Sequence, residues 1–158
     1  QKSHLYPMIL TALYTGLRVK ELINLEWEDF DFEKKTLMVR NKANFKTKNR
    51  KFRVVPLPES YIARISPFVK KKGICFTYNG SGFKELPRRA LKTILRRSGI
   101  NNCGWHTLRK TFASHLIMQG VSITKVAKWL GHSSPTLTYQ TYAHLAPQAD
   151  KDIDRLNF

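Results

Sequence analysis

Between Lys34 and Ala149 the chain carries 23 basic side chains against two acidic ones, Glu59 and Glu85, a local charge of +21. The remaining residues hold five basic and nine acidic groups, so the whole chain comes to +17. A fold gains nothing from that much self-repulsion, and a surface that serves solubility alone mixes its signs. The distribution therefore implies a polyanionic partner. Nucleic acid stands ahead of an anionic membrane, because no basic amphipathic helix with a Trp/Leu face is present. At 158 residues, 42% of them hydrophobic, the chain is one domain, or one domain with a tail, and can bury a core of its own. Eighteen aromatics argue against disorder. No apolar run approaches the ~18 residues of a membrane span, and no charged-then-apolar leader opens the chain. Cys75 and Cys103 lack CxxC spacing, which points to a reducing, cytoplasmic compartment.

The pattern reads as α+β, mainly helical, with a small antiparallel β interruption. Leu10, Leu13 and Leu17 repeat at helical spacing up to a break at Gly16, and a second helix runs from about Arg18 to Trp27. Asp29 to Phe32 reads as an acidic turn. Residues 36–39 and 52–55 read as two strands, joined by a loop from Arg40 to Lys51 that is dense in Lys and Arg. Helices follow at 59–69, 86–97, 106–118 and 123–130, and from Ser134 to about His144, with Gly99, Gly120 and Gly131 as stops. Gly73 to Phe76 is a short strand or an extended link, and Asn79 to Gly82 a loop. The chain opens almost inside a helix, so a fragment of a larger protein is expected.

No GxxxxGK[ST] loop, GxGxxG turn or HExxH helix is present. The acidic residues cluster at 21–33 and in the 150–154 tail, leaving the basic middle short of the convergent carboxylates that two-metal phosphodiester chemistry needs. Phosphoryl chemistry without a metal uses cations to offset charge and a side chain as nucleophile. The parts for that plan exist. His106 and Arg109 sit at i and i+3 on one helix, where the guanidinium can grip two phosphate oxygens and the imidazole can move a proton. His132 follows a helix-ending glycine, and Tyr142 lies ten residues further on. A phenol needs cations or a base to activate it. Tyr139 competes with Tyr142, and residue type alone does not choose between them.

Three segments in order carry a resemblance: Thr15-Gly16-Leu17-Arg18-Val19-Lys20-Glu21-Leu22; His106-Thr107-Leu108-Arg109 through Leu116; and Leu130-Gly131-His132-Ser133-Ser134 with Tyr142-Ala143-His144. Together with the basic hairpin they cover nearly the whole chain, which resembles the catalytic domain of the tyrosine recombinases, the phage integrase family. The resemblance implies that Arg18 and Arg109 are the two catalytic arginines, His106 and His132 the histidines of the HxLR and LGH boxes, and Tyr142 the nucleophile. It puts the catalytic lysine in the hairpin at Lys48, with Lys46 as runner-up, and gives Glu21 the part of orienting Arg18 or a histidine. Further DNA contacts are expected from Arg40, Lys42, Lys46, Arg50, Lys51, Arg53, Arg88, Arg89, Lys92 and Lys110.

The chemistry so implied is cleavage and rejoining of double-stranded DNA through a 3′-phosphotyrosyl link, with no cofactor, metal or ATP, serving site-specific recombination or integration. A type IB topoisomerase-like nicking-closing enzyme ranks second. A non-catalytic DNA-binding module, built on a helix-turn-helix outline at 106–130, explains the charge but not the matching boxes. The resemblance further implies that residues 1–158 are the catalytic part of a longer protein whose N-terminal DNA-clamping domain is absent. Residues 148–158 then form a tail that docks on a neighbouring protomer, so the isolated chain is expected to be a monomer and the assembly on DNA a tetramer.

Overall fold

The computed structural model describes residues 5–43, 45–47 and 52–147. Helix α1 (Leu5–Thr15) buries Leu5, Met8, Leu10 and Ala12 together with two threonines, and packs against α5 (Trp105–Met118) and α3 (Glu59–Ile65). Both threonine hydroxyls are spent inside the helix: Thr11 Oγ1 donates to the Pro7 carbonyl at 2.8 Å and Thr15 Oγ1 to the Thr11 carbonyl at 2.6 Å. The fully buried Tyr61 phenol then donates to Thr11 Oγ1 at 2.9 Å, pinning α3 to α1 without an orphaned polar group. Gly16 ends α1 at φ +59°, and a Cβ there would clash with Phe112 Cδ1, so both backbone and packing require glycine. Helix α2 (Val19–Ile23) follows at once.

The sheet has the order β1-β2-β3, all antiparallel, from Phe30–Asp31, Thr36–Val39 and Arg53–Pro56. Leu37 faces Val55 and Val39 faces Arg53 on the inward side, while Met38 and Val54 point outward. Pro56 is tolerated because β3 is an edge strand. The expected acidic turn at 29–32 is instead a 3-10 turn (Trp27–Asp29) running into β1, whose Phe30 ring stacks on Phe32 at 5.3 Å. A two-residue strand carries no periodicity to read. Likewise the expected 79–82 loop is the turn and second strand of a small hairpin, β4 (Thr77–Tyr78) pairing with β5 (Ser81–Gly82). Asn79 and Gly80 both take positive φ, the backbone that two-residue hairpin turns demand.

The second half is helical: α4 (Arg88–Arg97), α5, α6 (Ile123–Leu130) and α7 (Pro135–Tyr142), the last running into a 3-10 turn at Ala143–Leu145. Ser122 Oγ caps α6 by accepting from the Lys125 N–H, and Ser134 Oγ caps α7 by accepting from the Thr136 N–H. Gly131, at φ +67°, closes α6. The second helix stops at Ile23 rather than Trp27, and the helix expected over 59–69 ends at Ile65 and continues as a 3-10 turn at Ser66–Phe68; the remaining boundaries fall within about two residues of those expected, the ordinary fraying of helix ends. No helix of the described residues is long and apolar enough to cross a membrane.

Candidate active site

The C-terminal end of α6 organises the site. A helix leaves its last carbonyls without intrahelical partners, and those oxygens carry the negative end of the helix dipole. Here the Ala127 and Lys128 carbonyls are taken by the N–H groups of His132 and Gly131 as the chain turns left-handed. Each of the next three carbonyls receives one guanidinium. Arg53 Nε donates to Trp129 O at 2.7 Å, Arg109 Nη2 to Leu130 O at 2.8 Å, and Arg18 Nη2 to Gly131 O at 2.7 Å. Arg109 Nη1 also donates to Gly16 O at 2.6 Å, which ties the end of α1 to the end of α6.

Among the described residues, Glu21 is the carboxylate that bonds this arginine cluster, and it is 3% exposed. Its Oε1 and Oε2 accept from Arg53 Nη1 and Nη2 at 2.8 and 2.7 Å; the same two oxygens accept from Arg18 Nη1 at 3.2 Å and from the Arg18 N–H at 2.7 Å. Burial alone would raise the Glu21 pKa, but the bonds and charge of Arg53, with those of Arg18, hold it below the usual carboxylate range. Three guanidiniums thus meet one carboxylate. The surplus of positive charge weighs on Arg109, whose pKa falls to about 10 through burial and the nearby Arg18 and Arg53.

Arg18, His106, Arg109 and His132 line one cleft of about 580 Å³, joined by Glu21, Lys46, Phe45, Trp105 and Leu137. A larger groove of about 780 Å³, lined by Leu13, Tyr14, Leu57, Phe112 and Trp129 among others, contains none of these residues. His106 is exposed while Arg109, three residues on, is buried beside Leu108 and Phe112. Partial burial, then the charges of Lys110 and Arg109, lower the His106 pKa below its ordinary value. His132 Nδ1 hydrogen-bonds Thr138 Oγ1 at 2.6 Å. Thr138 is fully buried one turn before Tyr142 on α7. Tyr142 itself is 8% exposed, and burial raises its pKa while the Arg109 charge pulls it down. Tyr139, on the same helix, is 62% exposed.

Three of the residues expected to contact DNA are paired within the protein. Arg53 is buried and consumed by Glu21 and Trp129, because strand alternation turns it inward with Val55. Lys42 Nζ is held by Asp29 at 2.5 Å, Glu26 at 3.0 Å and the Asn24 carbonyl at 2.7 Å. Arg40 Nε pairs with Asp29 at 3.1 Å, although its side chain stays half-exposed. Arg88, Arg89, Lys92 and Lys110 are exposed, and Arg88 and Lys92 border a second cleft that shares Trp105 and His106 with the first. Lys48, Arg50 and Lys51 lie outside the described residues. The sequence reading missed Thr138, whose signal was its place four residues before Tyr142 on one helix face.

A model of the phage integrase family matches residues 1–149. The chain is 31% identical to a tyrosine recombinase XerC-like protein of Caldanaerobacter subterraneus, across 99% of this chain and 50% of the relative. It is 34% identical to tyrosine recombinase XerA of Pyrococcus furiosus, across 95% and 54%. Among solved structures, the catalytic domain of bacteriophage HP1 integrase superposes with a TM-score of 0.74 at 27% identity, over 97% of this chain and 82% of that one. The crystal structure of XerA recombinase gives 0.76 at 25% identity, over 99% and 60%. The chain spans about half the length of the curated relatives it matches. With Arg18, His106, Arg109 and His132 from the three sequence boxes lining one cationic cleft, and a family model covering nearly its whole length, this chain belongs to the phage integrase family.

Proposed function

We propose that this chain is the catalytic domain of a site-specific DNA recombinase that cuts and rejoins strands through a covalent phosphotyrosine. The observation that carries the reading is the cationic cleft: Arg18 and Arg109, anchored on helix-end carbonyls beside the Glu21 carboxylate, line it together with His106 and His132. Arg18 and Arg109 bind the non-bridging oxygens of the scissile phosphate. Their anchors on Gly131 and Leu130 preorganise them, so little reorganisation is needed as charge develops. The Tyr142 oxygen attacks phosphorus, the P–O5′ bond breaks, and a 3′-phosphotyrosyl link forms. His106, whose pKa is lowered by partial burial and the charges of Lys110 and Arg109, takes the phenol proton. Lys48 gives a proton to the departing 5′ oxygen, and Lys46, on the cleft wall, is the competing donor. His132, steadied by Thr138, hydrogen-bonds the phosphate through Nε2. The bond energy is retained in the adduct, and a second strand's 5′-hydroxyl reverses the step. Arg88, Arg89, Lys92 and Lys110 extend the cationic surface along the duplex.

The longer protein carries an N-terminal domain that completes a clamp on DNA and assembles as a tetramer there through the segment after residue 147. The isolated chain is a monomer, and the protein works in the cytoplasm. Avidity argues for the clamp, since a tethered second module raises affinity by roughly 10²–10⁴. The test is incubation with a library of nicked duplexes of randomised sequence in EDTA, scored for adducts that survive denaturation. Wild type and Tyr139→Phe should form the adduct and Tyr142→Phe should not. Adducts with Tyr142→Phe but not Tyr139→Phe would reverse the nucleophile assignment, and a wild-type chain that binds DNA without any adduct would leave only a binding module.

A further inference from the structure

Arg53 was expected to touch DNA, yet its side chain is 7% exposed and three of its N–H directions are already used. Nε bonds Trp129 O in α6, and the two Nη atoms bond the two oxygens of Glu21 in α2. The residue itself belongs to β3, the strand that leaves the basic hairpin loop. One planar guanidinium therefore joins three elements. Its effect on Glu21 is specific. Each carboxylate oxygen that Arg53 fixes is also an acceptor for Arg18, Oε1 for the guanidinium and Oε2 for the main-chain N–H. Without Arg53 the carboxylate can swing, and the aim of Arg18 swings with it. Packing alone would not call for this arrangement, because apolar residues of similar volume stabilise an interior as well as a buried ion pair does. Gly131 supports the same reading: an added Cβ would lie 2.9 Å from Arg53 Nη1, so the turn that carries the Arg18 anchor is built closely around Arg53.

We propose that Arg53 is a positioning residue of the recombinase site, locking the hairpin strand to α6 and holding Glu21 so that Arg18 meets the scissile phosphate. The inference rests on the recombination reading above. Lysine cannot replace it, since a single ammonium does not span both Glu21 oxygens and the Trp129 carbonyl in one plane.

The test compares wild type with Arg53→Lys, Arg53→Met and the core control Val55→Ala, at a temperature where circular dichroism shows each folded. The probe is the nicked duplex library, and affinity over a salt series is read beside single-turnover adduct formation at saturating DNA from pH 5 to 8. Both Arg53 variants should keep affinity within about twofold with an unchanged salt slope, while adduct formation slows at least tenfold. The acid limb of their rate profile should move to higher pH. The charges facing Glu21 are Arg53 from β3, Arg18 ahead of α2 and Arg109 from α5; Arg53→Met removes the nearest charge and Arg53→Lys the paired hydrogen bonds, and either loss leaves the buried carboxylate harder to ionise, the Met variant more so. Val55→Ala should shift neither rate nor profile. A reduced salt slope would make Arg53 a phosphate contact, and wild-type rates in Arg53→Lys, or equal losses in Val55→Ala, would also overturn the proposal. If neither Arg53 variant folds, its role is structural alone and the proposal falls. A wild-type chain that forms no adduct strikes the recombination reading itself, and with it this proposal.

Discussion

At the scale of single residues, the chemistry rests on side chains whose ordinary properties have been moved by burial and neighbours. Glu21 is the sharpest case. Its folded pKa lies below the ordinary value, so it contributes stability above pH about 4.5 that is lost as pH falls through the folded value. Urea unfolding between pH 3 and 7 should show that acid loss in wild type and much less of it in Glu21→Gln. The same variant should be destabilised by about 3–5 kcal/mol at pH 7, because Arg53 is left buried without its counter-charge. The lysine question is also settled residue by residue. On a substrate whose 5′ leaving oxygen is replaced by sulfur, a thiolate leaves without a proton, so a missing general acid matters little. Lys48→Ala should cleave the ordinary substrate at least tenfold more slowly and the sulfur substrate at the wild-type rate, with Lys46→Ala showing the smaller defect. The reverse ranking would move the role to Lys46.

At the scale of elements, helix ends do the positioning. Gly16 and Gly131 close α1 and α6 in left-handed backbone, and their carbonyls receive Arg109 and Arg18. Gly120 closes α5 with the same sign of φ but has open space where a Cβ would go. Ala at Gly120 should therefore cost about 1–2 kcal/mol, the backbone term alone, and leave cleavage unchanged. Ala at Gly16 should cost about 2–4 kcal/mol, since overpacking against Phe112 adds to the backbone term, and should also slow cleavage. Thermal unfolding of the two variants beside an adduct assay checks both; equal costs would mean that the Phe112 contact relaxes freely. The helices were legible in the sequence because their apolar stripes, Ser caps and terminating glycines act locally. Strand β1 and the 77–82 hairpin were not, being too short for any period. Arg53 could have been read: it stands two residues before Val55, and a strand that buries one turns the other the same way.

At the scale of the whole molecule, the +17 charge sets how the protein would meet DNA under the proposed function. Each phosphate neutralised on duplex DNA contributes roughly −0.9 to the slope of log affinity against log salt. With Arg53 and Lys42 paired inside the protein, the exposed set is smaller than the sequence count suggests. Arg89→Gln should flatten the slope by about one unit, whereas Lys42→Gln should leave it unchanged; fluorescence anisotropy over a salt series decides, and equal changes would return Lys42 to the DNA surface. The identity of the parts was in the sequence by itself: a mainly helical domain, a basic hairpin, two arginines, two histidines and a tyrosine in a recognisable order. Those signals are local spacing and composition, which survive without coordinates. What only the tertiary structure decided is which cations remain available for an anion and which are consumed. Arg53 reaches Trp129 across 76 positions and Arg109 reaches Gly16 across 93. Burial and pairing at such separations depend on how helix ends and strand faces meet in space, and no local pattern encodes that.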